Sequence, residues 1–410
     1  MWSPSANTIR FRPIHPFPAR MAPSIVRKRF CSFRTSMRIL DPMVGSGTTI
    51  VSARLHGHHA IGFDTDPLAL LISRTWSSTV NPEDVRFRAQ EVLNRARRSY
   101  RNLTAGKAYP HGADSETRKF IRFWFDPTAR RQLTALSNAL RRIKCTTERD
   151  FLWSAFSRLI ITKQAGASLA MDVSHSRPHK VYKIAPVKAF DRFLHAVDAV
   201  LNAAPFSRVH NLPRAIIREG DARNLPIDDA SIDLVITSPP YLNAIDYLRG
   251  HKFSLVWMGH VVDEVRRLRA HNIGSESSEK FVRDSELIHL AESKMGSTTK
   301  LPVRSRGMLA QYLRDMNKVL AEINRVLKHG GEAVLVIGDS TIRGVFLRNS
   351  RALTYLGREN GLTLKSVRRR PLLENRRYLP PPGKRNSGRL LRSRMKEEVI
   401  LTFLKAHKIA

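Results

Sequence analysis

Two short runs hold residue types that could do chemistry together: DPMVGSGTT from Asp41 to Thr49, and TSPPY from Thr237 to Tyr241. The first is a loop of small residues. Gly45 and Gly47 let the backbone turn tightly and approach a ligand, and a helix beginning near Thr48 would aim its free N–H groups at whatever lies above. The second places a hydroxyl (Ser238), two stiff prolines (Pro239, Pro240) and an aromatic face (Tyr241) side by side. The spacing is not that of a phosphate-binding loop, which needs Lys and then Ser or Thr after its last glycine; here Thr48 and Thr49 follow. A dinucleotide fingerprint would need a third glycine at position 50, which is Ile50. Asp64 comes 17 positions after Gly47, near the ~20 expected of a carboxylate that binds a ribose.

Positioning these groups takes strands. Ile39-Leu40 precedes the first run and IDLVIT (Ile232 to Thr237) leads into the second, and both read as buried parallel strands. In an open α/β sheet, ligands lie beyond the carboxyl ends of the strands. Both runs are therefore expected to face one cleft, suited to a cofactor and a flat, hydrogen-bonding substrate.

In order along the chain, DPMVGSGTT, GFDTDP (Gly62 to Pro67), EGDARNLP (Glu219 to Pro226) and TSPPY resemble the cofactor and catalytic motifs of S-adenosylmethionine-dependent amino-methyltransferases of DNA. HPFPARMAP (His15 to Pro23) is similar to the segment that precedes the glycine loop in that family and helps hold the methionine end of the cofactor. The resemblance leaves roughly residues 80–210 and 260–305 outside it. Ser-Pro-Pro-Tyr after a strand is its specific part, and the other segments support it. The resemblance implies an α/β fold with a seven-stranded Rossmann-like sheet, mostly parallel with a C-terminal antiparallel hairpin, plus a helical insertion. It implies S-adenosylmethionine as cofactor, held by His15, Pro18, Asp41, Gly45, Gly47, Thr48, Asp64 (ribose) and Asp221 (adenine amino group). It implies Ser238, Pro239, Pro240 and Tyr241 as catalytic residues. Ser at the first motif position is associated more often with cytosine N4, and Asp or Asn with adenine N6. Cytosine N4 is the expected target, with adenine N6 as the alternative.

The residue types suit that reaction. An exocyclic base amine is a poor nucleophile because its lone pair is conjugated into the ring. Acceptors that hold its hydrogens out of plane would localise the pair, and Ser238 Oγ and the Pro239 carbonyl are the candidates. Tyr241 offers a stacking face, worth ~1–3 kcal/mol per base in single-strand binders. Methyl transfer is then direct displacement with in-line approach at ~3–3.5 Å. A base within a duplex must first be flipped out. Transfer to cytosine C5 would need a Cys after Pro in that family; Cys31 follows Phe30 and Cys145 follows Lys144.

Composition names the partner. With 70 Lys+Arg against 35 Asp+Glu, the formal charge is +35, which a compact chain tolerates best against a polyanion. Double-stranded DNA is the expected partner, with RNA second; related enzymes acting on RNA bases use similar Asn/Asp-Pro-Pro-Tyr motifs. The resemblance leaves room for a cognate restriction nuclease as a partner, which the sequence itself does not identify. A non-catalytic nucleic-acid binder is the third reading, disfavoured by intact cofactor and catalytic motifs. No 18-residue apolar run suggests a membrane segment, and Met1 to Arg20 lacks the apolar core of a secretory signal. Two distant cysteines fit a reduced cytoplasmic protein associated with the nucleoid, without disulfides or zinc.

The expected organisation is a methyltransferase domain in two parts, residues 1–79 and 211–410, with a helical insertion at 80–210 and a polar insertion at 260–305. Strands are expected over Met37–Asp41, Ala60–Asp64, Arg214–Glu219, Ile232–Thr237 and Glu332–Ile337, with a final hairpin of Leu362–Val367 and Val399–Leu404. Helices are expected over Thr48–His56, Tyr312–Leu327 and Val345–Glu359, and in the insertion over Phe120–Phe125, Leu133–Ile143 and Phe151–Ile161. The polar insertion reads as a mobile recognition loop or as disorder. The larger insertion falls between the second and third strands, not where the family usually carries target recognition. His175 and His179 are four apart, but Pro178 breaks the helix that would align them on a metal, so no metal is expected. Arg177 and His179 read instead as facing phosphate or base. Lys365 to Lys396 carries twelve Lys/Arg against Glu374 alone, and Arg376, Arg377, Lys384 and Arg385 are expected to track phosphates.

Overall fold

In the computed structural model, the described residues are 12–17, 20–31, 33, 35–175, 178–206, 212–242, 247–274, 285–372 and 397–406. The chain is α/β, and its principal sheet has seven strands: β1 (Arg38–Asp41), β2 (His59–Asp64), β3 (Ile216–Glu219), β4 (Ile232–Thr237), β5 (Leu327–Ile337), β6 (Leu362–Pro371) and β7 (Glu397–Lys405). Two compact units divide the chain. One comprises Met1–Phe33, Val44–Glu219 and Ile245–Arg269; the other comprises Arg34–Met43, Gly220–Ala244 and Ala270–Ala410.

The second unit carries β6-β7-β5-β4-β1 in that order. β1 pairs parallel with β4 (Leu40 opposite Val235) and β4 parallel with β5, while β7 runs antiparallel to both β5 and β6. β4 is buried on both faces from Leu234 onward, which is why Leu234, Val235 and Ile236 form an unbroken apolar run. The helix Val303–Val326 buries Leu309, Leu313, Met316, Leu320 and Ile323 at three- and four-residue spacing. It begins earlier than Tyr312 and ends one residue short of Leu327. The strand expected from Glu332 starts already at Leu327, and His329-Gly-Gly331 lies inside it. Ile232 faces Leu327 but Leu234 faces Glu332, so β5 carries a bulge there. Gly331 permits it: a Cβ would lie 2.8 Å from the Lys328 carbonyl and 3.1 Å from that of Asp233.

The helix expected over Val345–Glu359 begins only at Asn349. Arg343 and Gly344 both have positive φ (47° and 86°), which closes a tight hairpin between Ser340–Ile342 and Val345–Leu347. The polar stretch 260–305 is partly helical, over Val262–His271 and Glu286–Met295. Each buries a narrow apolar stripe, Val262 and Val265 in one and Ile288, Ala291 and Met295 in the other. Residues 275–284 lie outside the described set.

The first unit pairs β2 parallel with β3, Asp64 opposite Glu219. Its core is largely helical. Helices Pro82–Arg101, Ser115–Trp124, Pro127–Leu140, Thr146–Ile160 and Ala189–Leu201 bury Val92, Leu133, Phe151, Phe156 and Phe193 together with Phe253 and Trp257 from Tyr247–Met258. Three of these match the helices expected in the insertion, each shifted toward its capping Asp, Asp-Pro or Cys. No helix among the described residues is long and apolar enough to cross a membrane.

Candidate active site

The glycine loop is built by close approach. The Val44 N–H donates to the Phe63 carbonyl at 2.8 Å, tying the loop to β2. Gly62 allows this, since a Cβ there would sit 2.9 Å from Val44 Cγ2. Gly47, at φ +89°, caps the helix Thr48–Leu55; a Cβ would lie 3.0 Å from the Ser73 Cβ and 3.1 Å from its Cα. The position therefore takes glycine for both conformation and space. Gly45, at φ +49°, donates its N–H to Asp64 Oδ2 at 2.8 Å.

Asp64 ends β2 half-buried, and its Oδ1 accepts from the Asp66 N–H at 3.0 Å. Burial, with the Asp66 charge adding to it, raises the Asp64 carboxyl to about 6. Asp66 caps the helix Pro67–Ser77 through the Leu68 N–H at 2.9 Å and holds His251 Nδ1 at 2.5 Å. His251 packs 5.1 Å from the Phe17 ring, which also stacks on Tyr247 at 5.7 Å. His15 is fully buried, with Nε2 2.9 Å from Ser157 Oγ. Burial, then Arg158, His251 and Arg20, holds His15 well below the ordinary imidazole range, so it is neutral. Among the described residues, His15 Nδ1 and His251 Nε2 are buried without a hydrogen-bond partner. Two such nitrogens, with a ring (Phe17) that reaches from His251 to within 3.8 Å of a Cβ placed on Gly45, suit a polar ligand group held near the loop. Sequence reasoning passed over Asp66 and His251. The capping position of Asp66 before Pro67 was a readable signal; for His251 there was none.

In the second unit, Asp41 ends β1 buried, with Oδ1 accepting from the Met43 N–H at 3.2 Å. Asp221 is grasped by its own neighbour. Arg223 donates through its backbone N–H (2.9 Å), Nε (3.0 Å) and Nη2 (2.7 Å), while its Nη1 reaches the buried Asp315 at 2.8 Å. Burial pushes the Asp221 carboxyl up, but the bonds from Arg223 more than reverse this and leave it below the usual carboxylate range.

Ser238 follows β4 directly, and its hydroxyl donates to the Val336 carbonyl on β5 at 3.1 Å. Its one proton is thereby engaged within the fold, and its lone pairs are left to accept. Pro239 is buried, and Pro240 and Tyr241 are half-buried. The Tyr241 hydroxyl donates to Glu398 Oε1 at 3.3 Å, and Arg370 Nε and Nη2 hold Glu398 Oε2 at 3.0 and 2.5 Å. Asp339, just past β5, accepts from the Ser350 N–H and hydroxyl. Neither Glu398 nor Asp339 was marked out by the sequence.

His179 is exposed in a two-residue strand paired with Ala170–Met171. Pro18, Arg177, Arg376, Arg377, Lys384 and Arg385 lie outside the described residues. Among the described residues there is no group of three or more His, Cys, Asp or Glu that could hold a metal ion.

No family model matches the chain. The chain is similar to the type II methyltransferase M.MvaI of Kocuria varians, 23% identical over 363 residues, which covers 80% of this chain and 77% of that protein. It is similar to M.BsoBI of Geobacillus stearothermophilus, 24% identical over 325 residues, covering 71% and 59%. With M.MjaII of Methanocaldococcus jannaschii it shares 20% identity over 411 residues, covering 80% and 71%. Both are type II methyltransferases.

Proposed function

We propose that this protein is an S-adenosylmethionine-dependent DNA methyltransferase that modifies an exocyclic base amine, with cytosine N4 as the target. The observation that carries this reading is Ser238 at the carboxyl end of β4, its proton engaged by Val336 and its lone pairs left as acceptors. An acceptor so fixed can take a hydrogen from the amine and localise the nitrogen lone pair, with the Pro239 carbonyl as the second acceptor. Tyr241 supplies the stacking face for a base withdrawn from the duplex. Bound S-adenosylmethionine supplies an electrophilic methyl group on a cationic sulfonium. The glycine loop and Asp64 suit its ribose, and the neutral His15 and the Asp66-bound His251 suit its polar methionine end. Three similar proteins that are type II methyltransferases support the same reading.

Adenine N6 is the second reading, and one observation favours keeping it. Cytosine and adenine both present an acceptor ring nitrogen beside the amine, and Ser238, its proton already given to Val336, offers either amine only its lone pairs. Incubation with labelled S-adenosylmethionine and either DNA or RNA, followed by nucleoside mass spectrometry, tests both. N4-methylcytosine in DNA is expected; N6-methyladenine alone would move the target base, and label in RNA alone would overturn the DNA reading.

A further inference from the structure

Glu398 is 6% exposed and lies on β7 opposite Arg370 of β6. Burying a carboxylate carries a desolvation cost that its partner, the partly exposed Arg370, must offset, and an apolar pair of similar volume is commonly as stable or more so. A pair kept there needs a purpose beyond holding the strands together, because nine residue pairs already join β6 to β7. The purpose is visible in the division of the carboxylate. Arg370 takes Oε2 with two donors, and the other oxygen, Oε1, accepts from the Tyr241 hydroxyl.

We propose that Glu398 is a positioning residue: clamped by Arg370, it fixes the Tyr241 phenol so that the ring presents its face to the target base. The inference rests on the proposed function, in which Tyr241 stacks on that base. Tyrosine has two side-chain torsions. A partner at the hydroxyl, which lies on the χ2 axis, fixes the direction of the ring axis. The O–H bond prefers to lie in the ring plane, and aimed here at Oε1 it biases the rotation of the face about that axis. Arg370 acts one step further out, denying Glu398 the other orientations it could adopt. The adjacent Arg369 is bonded to Glu397, so both acidic residues that open β7 are committed to β6.

The test compares the wild type with Tyr241→Phe, Glu398→Ala, Glu398→Gln and the double variant Tyr241→Phe/Glu398→Ala. Methylation of unmodified genomic DNA is followed at saturating S-adenosylmethionine, with cofactor affinity by calorimetry and melting temperature alongside. Tyr241→Phe removes only the hydroxyl, whereas Glu398→Ala removes the acceptor and also releases Arg370. Each should lower kcat/KM for DNA about tenfold, the size of one hydrogen bond to a charged group, while cofactor affinity is unchanged. The double variant should be no worse than either single, since both break the same hydrogen bond. Glu398→Gln gives its one oxygen to Arg370 and turns its amide N–H to the phenol, which then accepts, so the ring stays held and activity should stay within about threefold of wild type. The proposal is overturned if Tyr241→Phe is fully active, if the two effects multiply, if Gln is as poor as Ala, or if cofactor affinity falls. Should Glu398→Ala not fold, Tyr241→Phe and Glu398→Gln still decide. A wild type that methylates no DNA overturns the functional reading and this proposal with it; an active wild type with indifferent variants overturns this proposal alone.

Discussion

Ser238 and Asp64 each make a bond within the fold and are each proposed to serve the site, and substitutions test the second role. Ser238→Ala removes both the bond to Val336 and the acceptor for the amine. The acceptor is used most in the transition state, so turnover should fall by ~10²–10³ with little change in cofactor affinity. Single-turnover methylation measures it, and a fully active variant would refute the mechanism. Asp64→Ala should weaken S-adenosylmethionine binding about 10- to 100-fold, the cost of losing bonds to a charged acceptor, with calorimetry as the check. The same proposed role predicts binding that is sensitive to acid. Burial and Asp66 raise the Asp64 carboxyl to about 6, and in that role the ionised form is the one expected to accept from both ribose hydroxyls. Binding therefore favours loss of a proton. Affinity should be flat above pH 7 and decline as the pH falls below about 6, with proton release near pH 6 detectable as a calorimetric heat that varies with the buffer. A constant affinity from pH 7.5 to 5 would place the ribose elsewhere.

The elements differ in how openly the sequence announces them. β4 and the helix Val303–Val326 have periods that only one structure satisfies. The glycine loop could be placed from Gly45, Gly47 and Asp64 alone. The bulge in β5 was hidden because His329-Gly-Gly331 has the composition of a helix stop, and only Gly331's closeness to the Asp233 carbonyl shows that the strand has already begun. The hairpin at Arg343-Gly344 was hidden because a positive φ at arginine leaves no compositional trace. His251 could not be found at all: its role depends on Asp66, 185 positions away. Gly47→Ala tests the loop. A methyl at positive φ pressed on Ser73 should cost ~1–3 kcal/mol in strain and lower both the melting temperature and cofactor affinity. Retained stability would mean that the Thr48–Leu55 helix can move away. His58, fully buried against Phe30, tests the neighbouring packing. Burial, then His56 and His59, lowers it to about 4 from 6.5. The unfolded chain takes up this proton as the pH falls through 6.5 and the folded chain does not, so stability held above pH 6.5 is lost between 6.5 and about 4. The loss approaches ~1.4 kcal/mol per pH unit for this site. His58→Leu should flatten that part of the melting-temperature profile.

Over the whole molecule, the charge of +35 governs encounter more than chemistry. Neutralising Arg376, Arg377, Lys384 and Arg385 should weaken binding to any duplex and reduce the slope of log K against log salt by about 0.9 for each phosphate no longer neutralised. An unchanged slope, read from binding isotherms at several salt concentrations, would assign those charges to solvent. The pairing of β6 with β7 carries a separate consequence for how such a chain can change. Pro371 and Glu397 are paired partners at the open end of the two strands, which fixes these two positions against each other. Closing a loop costs only ~0.6 kcal/mol for each doubling of its length. A change of length between those two positions is therefore expected to alter stability by about a kcal/mol or two at most. The strand pair would then work as a socket, into which a different basic sequence could be grafted by design while Ser238 at the end of β4 keeps its place.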